Sequence, residues 1–404
     1  MRKKRKYKSN KPMFKRKRSP AKTVFNVILV IVLLSAIAFL GYSVGKPIME
    51  FLGNRERPTT SDTPSTEPAP EKEPPVTTTT PAEDDAKETE PEPDKEPEPE
   101  PQYGKRILYV SMPAGGSYEQ YIAERVQYAK DNGYYGVALE LLADGGAVRY
   151  ATANPLATST SAVSAGAIAD LSAAAKTISD AGMFPYARIS VLSDHIVSWD
   201  KSICYLFENS TSTWLDNSVE LGGKPWMSAF SAAAREYVAS LVTEISDAGF
   251  AGVVAGEIEF PPFRNSDLNY IGASVKSATR YNGLIEFSNV LQDAFGTAKV
   301  YAVEVDAQDI VAGRAEVLRD LNALNAQTIY VKYDSAAVGL RIVRTDETEI
   351  SYSGLSEADK LTVVMKSVYD TIGNGKTIIP AVTDEALIPT LVSLGYDEQS
   401  ILVY

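Results

Sequence analysis

From Lys105 to Tyr404 the chain alternates between short runs rich in β-branched and apolar residues and longer stretches with helical periodicity. This pattern limits the available folds more than any other feature. The strand-like runs are Arg106–Pro113, Gly136–Leu142, Phe184–Leu192, Gly252–Pro261, Lys299–Asp306, Thr328–Asp334, Thr377–Thr383 and Ser400–Tyr404. Between them, periodicity predicts helices over Tyr118–Asn132, Ala167–Ala181, Ser228–Ala248, Tyr281–Ala294, Ala315–Asn325, Glu357–Ile372 and Glu385–Leu394. Regular β-then-α alternation calls for parallel βαβ units. Runs that are apolar throughout, rather than at every second residue, fit strands buried on both faces. Glycines at 133, 182 and 249 fall where three helices should stop, supplying left-handed C-caps. A (β/α)₈ TIM barrel accommodates the number and length of these units. An open, doubly wound sheet is the alternative, but no glycine-rich phosphate loop of the Rossmann or P-loop type opens any helix.

The first hundred residues belong to a different regime. Residues 1–23 form a basic tail, from Arg2-Lys3-Lys4-Arg5-Lys6 to Lys15-Arg16-Lys17-Arg18. Val24 to Val44 then runs without a charged side chain, about the length an α-helix needs to cross roughly 30 Å of hydrocarbon. Positive flanks stay on the cytoplasmic side, so this reading makes a single-pass protein with the C-terminal domain outside the cell membrane. A cleavable signal peptide would have a shorter apolar core, and Ser35-Ala36-Ile37-Ala38 lies inside the run. A basic arm for nucleic acid is the other reading, disfavoured by the apolar segment that abuts it. Residues 45–102 form a Pro/Thr/Glu-rich stalk, including Thr77 to Thr80 and the Glu-Pro alternation of Glu90 to Pro101. Such a segment has too little apolar surface to offset its ordering entropy. Extended as polyproline II, its core would reach on the order of 140 Å. Residues 103–404 are the globular domain.

Composition excludes several chemistries. One cysteine, Cys204, permits no intramolecular disulfide, and one histidine, His195, permits no site built on two imidazoles. The net charge of −12 combines a positive tail with an acidic stalk and an acidic domain, which argues against nucleic acid as the domain's partner. No motif calls for a cofactor or specifies a metal, although carboxylates are the ligands calcium would take.

Charge enters the strand-like runs near their C-terminal ends. Glu140 lies in the second, Arg188 in the third with Asp194 just beyond it, and Glu257 and Glu259 in the fourth. Glu304 and Asp306 end the fifth, and Lys332 and Asp334 the sixth. Alternation places Glu257 with Glu259, Glu304 with Asp306, and Lys332 with Asp334 on common faces. Charges in a barrel strand must be paired or reach water, and active sites of this fold are built at the C-terminal mouth. Paired carboxylates are what glycosidic cleavage requires, one as proton donor and one as nucleophile or base. Glu257 or Glu259 is the expected acid, and Glu304 or Asp306 the nucleophile or base. Glu140, Arg188, Asp194, Lys332 and Asp334 are expected to contact substrate. Trp214 and Trp226, in the loop after the third strand with Trp199, Tyr205 and Phe207, are expected to stack on sugar rings. The alternative for the charges is a structural ion network, and for the aromatics a loop core.

The stretch Gly182-Met183-Phe184-Pro185-Tyr186-Ala187-Arg188-Ile189 resembles the Gly-x-x-x-x-Ala-Arg-Ile strand of a bacterial glycosyl hydrolase-like domain family of unknown function. Trp214-Leu215-Asp216, Gly223-Lys224-Pro225-Trp226 and the closing Phe260-Pro261 are similar to further landmarks of that family. The resemblance covers about residues 104 to 404 and implies a TIM barrel acting on polysaccharide. The family's Asp-Tyr-x-Arg-Phe-Pro, whose Asp is the favoured catalytic residue, aligns with Gly256, Glu257, Ile258, Glu259, Phe260 and Pro261. Glycine therefore stands at the Asp position and Glu259 at the Arg position. The family's Asp-x-Lys-Asp in the second strand reads Glu140, Leu141, Leu142, Ala143 here, followed by Asp144. Three functions follow as expectations: a tethered hydrolase of cell-envelope polysaccharide, a catalytically inactive glycan-binding or scaffold module, and a structural spacer with protein partners.

Overall fold

The computed structural model describes residues 106–113 and 117–404. The basic tail, the apolar run Val24 to Val44 and the stalk lie outside the described residues. Among the described residues no helix is long and apolar enough to cross a membrane.

Eight parallel strands form a closed barrel: β1 (Ile107–Val110), β2 (Gly136–Leu142), β3 (Phe184–Ser190), β4 (Gly252–Gly256), β5 (Val300–Asp306), β6 (Thr328–Tyr333), β7 (Thr377–Val382) and β8 (Leu402–Val403). Each strand pairs with its neighbours in chain order, and β1 closes on both β2 and β8. Closure removes the sheet edges that an open doubly wound arrangement would leave. The long helices Tyr118–Asp131, Leu171–Asp180, Ala232–Asp247, Asn282–Phe295 and Glu357–Ile372 cover its outer face. Four of them start on a side-chain cap: Ser117, Asp170, Ser231 and Ser356 accept backbone N–H groups of their first turns. Glycines 133, 182 and 249 take the expected positive φ after three helices.

Four expectations are revised. The run expected to be helical from Ala167 begins as a strand, Val163–Ile168, paired with Val148–Tyr150, which extends the sheet beyond β2. The helix expected over Ala315–Asn325 is a single 3₁₀ turn, Glu316–Leu318. The helix instead spans Ala307–Ala312 and is stopped by Gly313 at φ 74°. A hairpin, Arg341–Val343 with Glu349–Ser351, follows β6. The fourth strand stops at Gly256, five residues before the expected Pro261.

Two apolar layers hold the barrel. Outside, strand residues such as Leu139, Ile189, Val253, Val303 and Val331 pack against the helices. Inside, Ile107, Ala138, Tyr186, Val254, Ala302 and Tyr330 fill the lumen with Ile379, Ala381 and Leu402. Size complementarity makes this inner layer fit: Tyr186 lies beside Gly252 in register, and a Cβ on Gly252 would stand 2.2 Å from its ring. Gly252→Ala is therefore expected to destabilise the domain by about 1–3 kcal/mol through overpacking. In urea titration, adding Tyr186→Leu should recover part of that loss; strictly additive effects would show that the ring is not the obstacle.

Candidate active site

The charged residues of the inward parity gather above this apolar layer, at the C-terminal end of the barrel. Arg188 and Glu304 follow Tyr186 and Ala302 by two residues each, so both point into the lumen. Their side chains are only 6% and 4% exposed, and the Arg188 Nη2 donates to Glu304 Oε1 at 3.0 Å. The same nitrogen reaches Glu257 Oε1 at 3.5 Å. Burial alone would lower the Arg188 pKa, but Glu304, Tyr109 and Glu257 more than offset this and raise it. The guanidinium crosses the space above Gly256: a Cβ there would lie 2.6 Å from Arg188 Nη2 and 3.0 Å from Glu304 Oε1. A side chain at residue 256 would have to displace the guanidinium or the Glu304 carboxylate from where they meet.

Glu257 breaks the alternation expected of it. Since Gly256 faces inward, an extended residue 257 would face the helices. Instead its φ is +55°, in the left-handed region that costs a non-glycine residue about 1–2 kcal/mol. The turn returns its carboxylate to the mouth, where its side chain is 31% exposed. Desolvation, then repulsion from Asp144 and Glu304, raise its pKa against the pull of Arg188. Glu257 and Glu304 hold one guanidinium nitrogen, at 3.5 and 3.0 Å, so their nearest oxygens are no further apart than these two distances laid end to end. This lies within the separation, up to about 9.5 Å, at which two carboxyls can flank a glycosidic bond.

Glu259 shares no face with Glu257. It stands exposed on the rim, yet desolvation, then repulsion from Glu257, Asp309, Asp306 and Asp144, pushes its carboxyl up to about 8. Its exposure carries more weight, because water screens much of that push. Asp306 is half-buried at the end of β5, with Lys332 as its register partner on β6. Desolvation and the carboxylates of Glu257, Asp309 and Glu304 push Asp306 up to about 6 despite Lys332. Lys332 lies over the Tyr404 ring, 5.1 Å from its centre. Glu257, Glu259, Glu304, Asp306 and Asp309 line one crevice of ≈ 30 Å³, roughly one water molecule's share of liquid volume.

The remaining candidates lie elsewhere or are already engaged. Glu140 accepts from Tyr109 Oη at 2.9 Å, from Met112 N and from Arg149 Nε, so it is a tie among β1, β2 and Val148–Tyr150. Asp194 is wholly buried, its Oδ1 accepting the N–H groups of Ile196 and Val197 at 2.8 Å each; it shapes the loop after β3. Asp334 caps the turn Ser335–Val338. Trp214 is fully buried and donates to Asp267 at 2.8 Å, within a loop core that includes Tyr205 and Ile271. Trp226 is half-buried, donating to Asp216 and meeting the His195 ring edge-on. Trp199, 58% exposed, is the open indole of this loop. His195 Nδ1 is 2.8 Å from the Pro225 carbonyl oxygen, so it carries the proton there. Among the described residues no group of three or more metal-ligating side chains is assembled.

Sequence reading did not single out Tyr109, Tyr404 or Asp309 for the mouth. Tyr109 and Tyr404 meet at 4.7 Å because β1 and β8 are neighbours, a relation without a local signature. Period-two counting from Ile107 and Leu402 would have directed both rings inward.

A closed parallel barrel with carboxylates and a buried arginine at its C-terminal mouth is a TIM barrel with its charged residues at the end where this fold carries chemistry. The chain belongs to the family described as "Putative glycosyl hydrolase domain", whose model matches residues 107–352. Among solved structures it is similar to the glycoside hydrolase domain of PelA from Pseudomonas aeruginosa, with 15% identity over 74% of this chain and 94% of that one, and a TM-score of 0.40. A hypothetical protein from Ruminiclostridium thermocellum is 18% identical over 48% of this chain and 96% of that one, TM-score 0.41. An exo-β-N-acetylglucosaminidase from Vibrio harveyi is 11% identical over 70% of this chain and 41% of that one, TM-score 0.44. No curated protein matches.

Asp306 provides a thermodynamic check. Its folded pKa, raised to about 6, lies above the unfolded value of about 3.9, so the wild type loses stability as pH rises through that interval. Asp306→Asn should leave stability unchanged near pH 3.5 and raise it above pH 6 by about 1–3 kcal/mol. Denaturant unfolding at the two pH values tests this, and an equal change at both would remove the raised carboxyl as its cause.

Proposed function

We propose that the domain binds and hydrolyses polysaccharide of the cell envelope, held to the membrane by Val24 to Val44 and extended from it by residues 45–102. The observation that carries this reading is that Glu257 and Asp306 line the same crevice at the barrel mouth, with Asp306 held near pKa 6. A carboxyl that keeps its proton close to neutral pH suits protonation of a departing glycosidic oxygen. Glu257, steadied by Arg188, then serves as nucleophile or as base for water. Glu304 works through Arg188, fixing the guanidinium that fixes Glu257. Trp199 offers an open ring face to the polymer.

The acid must be protonated, so turnover should fall as pH rises through about 6. Asp306→Asn should reduce kcat by about 10²–10⁴-fold and remove that alkaline limb. The check is release of reducing ends from purified wall polysaccharide by the detergent-solubilised full chain. Undiminished turnover in both Asp306→Asn and Glu257→Gln would overturn the assignment.

A second reading, glycan binding without turnover, is favoured by one feature: residue 256, which aligns with the favoured catalytic Asp of the family, is a glycine and has no carboxyl to give. It predicts retention of wall glycan by the wild type with no reducing ends at any pH between 4 and 8.

A further inference from the structure

Beyond the acidic mouth, the loops after β4 and β5 enclose an open groove of ≈ 650 Å³, within the range of small-molecule sites. One residue, Glu316, lines both this groove and the carboxylate crevice, so the two lie side by side. Their charges are opposite. The crevice is walled by carboxylates, whereas the groove presents Lys276, Arg280 and Arg319 with Glu316 as its acid. Arg280 makes a short bidentate ion pair with Glu316 and lies over the Phe260 ring, 5.0 Å from its centre, which fixes the guanidinium beside the shared wall. Lys276 and Arg319 donate instead to the carbonyl oxygens of Asn269 and Gly313, and among the described residues neither is in an ion pair. Two cationic charges are thus left over in a chain whose net charge is −12. Tyr281 and Leu268 add apolar surface between them.

We propose that this groove is an accessory subsite for an anionic unit of the glycan, a sugar bearing a carboxylate or a phosphate group, bound by Lys276 and Arg319 while a neighbouring unit lies over the crevice. The inference rests on the proposed glycan-binding reading and deepens it by naming the charge class of the polymer. The acidic crevice repels an anionic unit and the groove attracts one, so the pair of sites sets the register of the chain as well as its affinity. Lys276 and Arg319 lie outside the carboxylate machinery, so their effect belongs to binding.

The test is binding rather than turnover, so that an inactive domain and an uncharged ligand give different results. The full chain in detergent is titrated with three probes: polygalacturonate as the carboxylate polymer, poly(glycerol phosphate) as the phosphate polymer, and uncharged β-glucan. Lys276→Glu with Arg319→Glu should weaken binding to one or both anionic polymers by about ten-fold and leave β-glucan binding unchanged. Which anionic polymer responds distinguishes carboxylate from phosphate recognition. The milder pair Lys276→Gln with Arg319→Gln, matched to wild type in thermal melting, should show a smaller loss in the same probe. Because the basic N-terminal tail would itself hold polyanions, every titration uses chains in which the Lys and Arg residues at 2–6 and 15–18 are replaced by Gln. Unchanged affinity for both anionic polymers, or an equal loss on β-glucan, overturns the subsite. Wild-type binding without hydrolysis leaves the subsite standing and removes only the catalytic reading.

Discussion

The mouth of the barrel depends on one buried ion pair, Arg188 with Glu304. A charge inside a low-dielectric lumen is tolerated only when it is matched, and loss of either partner typically costs about 3–5 kcal/mol. The pair also fixes its neighbours. The guanidinium crosses β4 over the bare backbone of Gly256, and its second contact draws in Glu257. Three strands are linked by one side chain, at the level where the apolar lumen gives way to water.

Strain and charge at this mouth have a common cause. Glu257 occupies a left-handed backbone conformation immediately after a strand, and its carboxylate gains the Arg188 contact that an extended chain would have denied it. Asp306 bears the opposite cost, since it is crowded by carboxylates and only partly relieved by Lys332. Backbone strain and a raised pKa are both unfavourable for folding, and both accumulate where the fold is known to place chemistry. Three other expected contacts, Asp194, Asp334 and Trp214, contribute to stability instead, by capping turns or filling a loop core.

How legible the molecule was in its sequence depended on the range of the interactions involved. The eight strands could be read because each is a short apolar run ended by glycine or a polar turn, a local signal. The helix expected over Ala315–Asn325 was misplaced because Val317 and Leu324 are buried by a turn and a loop rather than by a helical face, which periodicity alone does not separate. Pairing of Glu257 with Glu259 failed because the strand stops at Gly256 and the next residue reverses its φ. That Glu304 and Asp306 share a face was legible from parity, whereas their meeting with residues of other strands was not. Trp214 and Trp226 were visible as aromatics, but the sequence did not show that Trp214 is buried and Trp226 half-buried.

The sequence by itself determined the alternation of elements, the parallel sheet, the inward parity of the charged residues and the family to which the domain belongs. The first three follow from local periodicity and composition, and the family from the motifs around Arg188, Trp214 and Phe260. Tertiary structure alone decided which strands close the barrel and what lies over Gly256. It also decided which carboxylates share a crevice and where a cationic groove adjoins them. These depend on side chains distant in the chain occupying the same few ångströms, so that burial and charge act between residues with no local relation.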